Sequence, residues 1–411
     1  MPIAAPSRPS PSSTDSSFHP HANASETQPA GEVLTGQISL FRSTLQQHQS
    51  DPASREIWHC LLTARRAVAE GIAALPRHEK NSPLVNDARA LLREILASGI
   101  QDAPLESADR ALARQLSPHA WPGLLGAMLL TPAWQWTEAP ALQNVPEWLW
   151  GDYTTWLFAA PQGFTAPGQA DLFAAHVLRR ANELWHWVQR NRGSAAVRTA
   201  LSAYVAAAAC SPLYFHAGNL RAHAEIRGRL LSAAHRRPDN ILTPPAFART
   251  GRRLRVGFVN RHFGSQTETY TTLPTFEHLD PSRFEVNLYA LRPNPGPLED
   301  YIRSRASRFQ ILPDDVDEQV RLLHAASLDV VVFGTNVTAV FNEITRLALH
   351  RVAPLQVVNN SSCITSGLPE IDLYVSGAGT EAPGAEAQFT ERLGLLPGPA
   401  HAFNYTADAQ A

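Results

Sequence analysis

Three short segments carry most of the side chains able to act on a ligand. The first, NRHFGSQTET at residues 260–269, contains His262, whose ordinary pKa lies near neutrality. Such a residue could take a proton from an acceptor hydroxyl, which makes it the candidate catalytic base, or could hold a phosphate. Glu268 could orient that histidine or accept a hydrogen bond from a sugar hydroxyl. Gln266, Thr267 and Thr269 complete the substrate-binding candidates of this loop, although the two threonines could equally cap a following helix. The second segment, residues 334–338, supplies Thr335, Asn336 and Thr338; either Asn336 or Thr338 caps free amides at a helix start, or those amides bind an anion or sugar. The third, residues 359–367, reads NNSSCITSG and supplies Ser361, Ser362 and Thr365. So many small hydroxyl and amide groups directly after an apolar run are unusual for an inert turn.

Other reactive residue types offer less. Cys60, Cys210 and Cys363 are far apart and odd in number, which argues against a disulfide framework and a thiolate metal site. Cys363 has no adjacent histidine or basic residue to lower its pKa and reads as a bystander. The histidines show no metal-ligand spacing, so no metal is expected. Matches to Asn-x-Ser/Thr, such as Asn336 with Thr338, carry no glycosylation claim without a secretory signal.

The elements that must position these loops emerge from periodicity. Short β-rich runs occupy 254–260, 284–291, 309–312, 329–333, 355–358 and 372–376, with helix-compatible segments at 270–278, 298–307, 316–326 and 340–350. This alternation implies βαβ units, a parallel sheet and right-handed crossovers. The runs at 329–333 and 355–358 are almost wholly apolar, as interior strands covered on both faces should be. Ligands of such sheets bind beyond the carboxyl ends of the strands, so the loops opening at Asn260, Gly334 and Asn359 should face one crevice.

Upstream, from Glu32 to about His235, apolar residues recur at three- and four-residue intervals in Ala-, Leu- and Arg-rich windows such as 54–74, 86–97 and 170–190. Several packed helices are implied, with no fixed-period repeat. Tryptophan is concentrated here, notably at 121, 134, 136, 148, 150, 156, 185 and 187. They could line a sugar-binding groove, but helix packing accounts for them with less. The expected organisation is a disordered tail (1–31), a helical domain (32–235), a Pro- and Arg-rich linker (236–252), a Rossmann-like α/β lobe (253–405) and a short tail (406–411).

Composition narrows the partners. A net charge of −2 over 411 residues leaves no cationic excess to neutralise nucleic acid or an anionic membrane surface, and neither partner is expected. No apolar run reaches the roughly 20 residues needed to span a bilayer. The first 27 residues lack the basic-then-apolar order of a secretory signal. A reducing, cytoplasmic setting is therefore expected.

Several motifs of the α/β region resemble, in order, the catalytic region of the O-GlcNAc transferase/SPINDLY glycosyltransferases, including bacterial members. They are LRVGFV at 254–259, HFGSQTET at 262–269, RFEVNLY at 283–289, residues 342–349 with RVAPLQ at 351–356, TSG at 365–367, IDLY at 371–374 and FTERL at 389–393. The resemblance implies the first half of a GT-B fold and inverting transfer from a UDP-sugar, UDP-GlcNAc foremost, to a protein acceptor, with no required cofactor or metal. The helical region would match the family's acceptor-recruiting part. Two departures stand out. Animal members have a histidine where this chain has Gln266, and another where Arg308 precedes Phe309, which leaves His262 as the candidate base. Family members also continue beyond the region resembling residues 400–405 into a second Rossmann-like lobe that holds the donor nucleotide. Only residues 406–411 follow here, so the chain is expected to be either a truncated product or one that needs a separate chain or lobe to hold the donor. The alternative is a non-catalytic module that binds protein or glycan.

Overall fold

The computed structural model describes residues 30–117, 120–136, 138–235 and 252–399. The expected tail over 1–29, the linker residues 236–251 and the segment 400–411 lie outside the described residues. Residues 30 and 31, included in the expected tail, already belong to a helix.

The first part of the chain folds as α1 (Ala30–Ser50), α2 (Arg55–Ala73), α3 (Pro83–Ser98), α4 (Ser107–Leu116), α5 (Ala120–Leu130), α6 (Trp150–Phe158), α7 (Gln169–Arg190), α8 (Ala195–Ala207) and α9 (Arg221–His235). Local chemistry sets several of the starts. The hydroxyls of Ser54, Ser82 and Ser194 accept the backbone N–H of Ile57, Val85 and Val197, satisfying amides that the first helical turn leaves free. α5 is apolar on every side, and its residues from Trp121 to Leu130 are all buried, so it forms the axis about which its neighbours pack. Six of the tryptophans noted above are buried, and Trp148 and Trp185 pack partly buried against the same core. They are structural residues of the helical region, meeting edge to face in pairs such as Trp136–Trp156 and Trp150–Trp187.

The second part alternates as the sequence predicts: β1 (Leu254–Asn260), α10 (Thr267–Glu277), β2 (Phe284–Ala290), α11 (Pro297–Ser304), β3 (Arg308–Ile311), α12 (Val316–Ala325), β4 (Val330–Phe333), α13 (Glu343–Ala348), β5 (Leu355–Asn359), β6 (Leu373–Gly377) and β7 (Arg392–Leu396). All neighbouring strands pair in parallel, in the order β3-β2-β1-β4-β5-β6-β7. This is a Rossmann-like α/β sheet with its switch point between β1 and β4. The helix expected over 340–350 is shorter, because Asn342 and Thr345 form a reciprocal capping box that starts α13 only at Glu343. β7 has no counterpart among the predicted strands. It is an edge strand with Leu395 and Leu396 each 50% exposed, so it lacks the inward-facing pattern of the interior strands.

One face of the sheet packs Val256, Phe258 and Leu288 against Leu273, Phe276 and Ile302 of α10 and α11. The other face, through Val259, Val331 and Phe333, joins a core that includes Leu347 of α13 and runs on into the helical region through Ile226, Leu230 and Leu231 of α9. Backbone seals this junction. A Cβ on Gly228 would lie 1.8 Å from the Gly367 carbonyl oxygen, and one on Gly367, whose φ is +67°, would lie 2.0 Å from that of Ala224. Only residues without a side chain allow α9 to approach the lobe so closely.

Candidate functional site

The carboxyl ends of β1 and β4 lie side by side at the switch point, and their exits are stitched together. Gly334 N–H donates to the Val259 carbonyl at 3.1 Å, and Arg261 N–H donates to the Thr335 hydroxyl at 2.9 Å. Thr335 thus serves as a brace between two strand ends. Gly334 is required where it stands: a Cβ there would sit 2.2 Å from Asn260 Oδ1 and 2.5 Å from Thr272 Oγ1. Asn260 and Thr272 are wholly buried, and neither side-chain atom of Asn260 nor the Thr272 hydroxyl has a hydrogen-bond partner. Others occur in both parts of the chain, among them Tyr204 Oη and Asn359 Nδ2, so these atoms mark a tightly closed point rather than a site by themselves.

The β1 loop turns tightly over this point. His262 Nδ1 accepts the Gly264 N–H at 3.1 Å, with Asn294 Nδ2 3.5 Å away. The neutral ring therefore carries its proton on Nε2, which is left as a hydrogen-bond donor. Gln266 folds back so that its Nε2 donates to the His262 carbonyl at 3.1 Å, and Thr269 reaches the same oxygen at 3.5 Å. Neither Thr267 nor Thr269 caps α10; its N-cap position is Gln266, without a side-chain cap. Glu268, in the first turn and half-buried, makes no side-chain hydrogen bond to the described residues, His262 included.

The second and third loops are committed to internal bonds. Asn336 Oδ1 accepts Thr338 N–H at 2.8 Å, Thr338 Oγ1 at 2.9 Å and Ala339 N–H at 3.0 Å. The capping alternative thus holds for Asn336, which closes a turn ahead of α13. Tyr214, from the helical region, meets Thr338 Oγ1 at 2.9 Å and Asn336 Nδ2 at 3.5 Å, and burial raises its phenol pKa. Ser362 Oγ accepts Val337 N–H at 3.2 Å, tying the two loops. Ser361 Oγ donates to Asn359 Oδ1 at 2.6 Å, while Asn359 Nδ2 is buried without a partner. Thr365 lies apart, donating to the buried Glu391 at 2.6 Å. Eight of the eleven candidates therefore form three groups: His262, Gln266, Thr269 and, through Arg261, Thr335 at the switch point; Asn336, Thr338 and Ser362 beneath Tyr214; and Thr365 beside Glu391.

The sequence reading missed the basic residues of the crevice. A cavity of about 290 Å³ opens between Arg261, Arg292 and the Asn342–Ile344 turn. Because Arg292 N–H donates to the Arg261 carbonyl at 2.9 Å, the two arginines leave paired strands as neighbours. Arg292 is held by Asp314 and Glu343, each at 2.7 Å, whereas Arg261 has no acidic partner among the described residues. The available signal was their placement just past two adjacent parallel strands. The switch point thus offers the His262 ring and the Arg261 guanidinium to a polar or anionic ligand. No group of three or more His, Cys, Asp or Glu among the described residues is placed to hold a metal ion.

No protein-family model and no curated protein sequence matches the chain. A solved structure does. It is a mutant O-GlcNAc transferase from Thermobaculum terrenum, 21% identical, with a TM-score of 0.38 over 75% of this chain. The chain spans 57% of that protein's length. No helix among the described residues is long and apolar enough to cross a membrane.

Proposed function

We propose that the α/β lobe is the acceptor-side half of a GT-B glycosyltransferase of the O-GlcNAc transferase/SPINDLY type. It would act on a protein hydroxyl with a UDP-sugar, UDP-GlcNAc foremost, as donor, and a second Rossmann-like lobe or chain would hold the nucleotide. The observation that carries this reading is the collinear set of motifs, whose HFGSQTET segment falls at the β1 exit beside the switch point. In the reaction, the acceptor oxygen attacks the anomeric carbon as its bond to the diphosphate breaks, with inversion, and the hydroxyl proton must leave. His262 is the residue we assign to that oxygen or to the phosphate. Its Nε2–H suits a donor role as the loop stands, whereas a base role requires the other tautomer and release of the Gly264 bond. The test is transfer from labelled UDP-GlcNAc to acceptor peptides by the chain supplied with a donor lobe. His262→Ala should abolish transfer, and unchanged turnover rejects the assignment.

A second reading, a non-catalytic module that binds protein or glycan, is favoured by one observation: Asn336, Thr338, Ser362 and Thr365 already spend their polar groups on internal bonds. Calorimetric titration of the chain alone with a panel of UDP-sugars separates the two. Tight donor binding defeats the module reading.

A further inference from the structure

The seam between α8 and α9 carries a surface that sugar transfer does not use. Two cavities of about 520 and 830 Å³ open on either side of Leu201 and Ala233, which line both. Val205, Val340 and Phe341 wall the first, and Trp185, Val188 and Val197 wall the second. Val340 is 49% exposed, high for an apolar residue beside a domain junction.

The rim is of one sign. Arg198 and Arg346 border the first cavity and Arg192 and Arg229 the second, while among the described residues no Asp or Glu lines either. None of the four arginines has an acidic partner among the described residues. The acids of adjoining elements are engaged elsewhere: Glu183 with Arg180, Glu225 with Arg221, Glu343 with Arg292 and Asp152 with Arg89. An apolar floor flanked by guanidinium groups without an acidic partner among the described residues complements an apolar stripe flanked by carboxylates. From Val197 to Val205 along α8 is about 12 Å at the helical rise of about 1.5 Å, room for roughly two turns.

We propose that this seam is a docking groove for an acidic amphipathic helix of a partner protein. The helix seats its apolar stripe on Leu201 and Ala233, and its flanking carboxylates pair with the four arginines. The groove stands whether or not the lobe transfers sugar.

The test uses the full chain and a fluorescein-labelled helical peptide of about 14 residues, with Leu at i, i+3, i+4 and i+7 and Glu on both flanks. Saturable binding that weakens with salt is expected by anisotropy. The same peptide with Lys for Glu, or Ser for Leu, should not bind. Combined Arg192→Glu and Arg229→Glu substitution should weaken binding about tenfold or more. Ala233→Trp, which fills the groove without changing charge, should do likewise. Both alter exposed positions, and a thermal melt verifies that the variants fold. The proposal fails if no saturation occurs up to about 1 mM, if the Lys or Ser peptide binds equally, or if neither substitution weakens binding. Displacement of the peptide by inorganic pyrophosphate alone would also overturn it, marking a small-anion site instead.

Discussion

At His262 the contact that decides the chemistry is with the chain itself, two residues on. Gly264 N–H occupies Nδ1, so a side chain that supplies only a donor at the Nε2 position can substitute for the ring if donation is the whole of its role. His262→Gln should then keep transfer within about tenfold of the wild type, while His262→Ala loses about a hundred- to ten-thousandfold. Equal loss in both, together with a vanished acidic limb of the pH–rate profile, would instead mark proton abstraction. Gly334 is the second telling residue. Gly334→Ala forces a methyl against Asn260 and Thr272 and should lower stability by about 1–3 kcal/mol, read as a lower Tm. His262 and its loop were legible from type and position alone. Arg261 and Arg292 were not, because an arginine gains meaning here only from the strand pairing that brings the two together.

Among the elements, the strands and crossovers followed from apolar runs and their spacing, down to the bounds of β1. The failures have physical causes. β7 is half-exposed on the sheet edge, where burial imposes no pattern. α13 is truncated because the side chains of Asn336 and Asn342 organise the preceding residues into turns. That predicts a specific sensitivity: Asn336→Ala frees the amides of Thr338 and Ala339 and should destabilise the chain by about 0.5–2 kcal/mol, measurable by denaturant titration. The substitution removes only the 3.5 Å contact of Tyr214, whose hydroxyl keeps Thr338 Oγ1 at 2.9 Å, so Tyr214→Phe should still add a cost of its own.

Taken whole, the molecule hides titratable groups in the helical region. Burial, helped by Arg227, pushes the His223 imidazole down to about 3. Burial likewise lowers His176 to about 4, against a bond to the Leu157 carbonyl that raises it. Both folded-state values lie below the ordinary value of about 6.5, so the unfolded chain binds more protons between the two. The contribution of neutral histidine is complete above about pH 6.5 and is lost as pH falls toward 4 and then 3. The slope is up to about 1.4 kcal/mol per histidine for each pH unit. A Tm series from neutral to acidic pH should show this decline, and His223→Gln should flatten it even if it lowers the plateau. A Tm independent of pH across that range would refute the assignment.

The touching backbones of Gly228 and Gly367 reach further than packing. Because α9 shares its core with the lobe and touches it backbone to backbone at Gly228 and Gly367, the helical and α/β parts have little slack between them. They should melt as one calorimetric transition, and Gly228→Ala should split it in two. Residues 30–235 and 252–399, produced as separate polypeptides, should recover their native spectra only when mixed, as two fragments that complete each other.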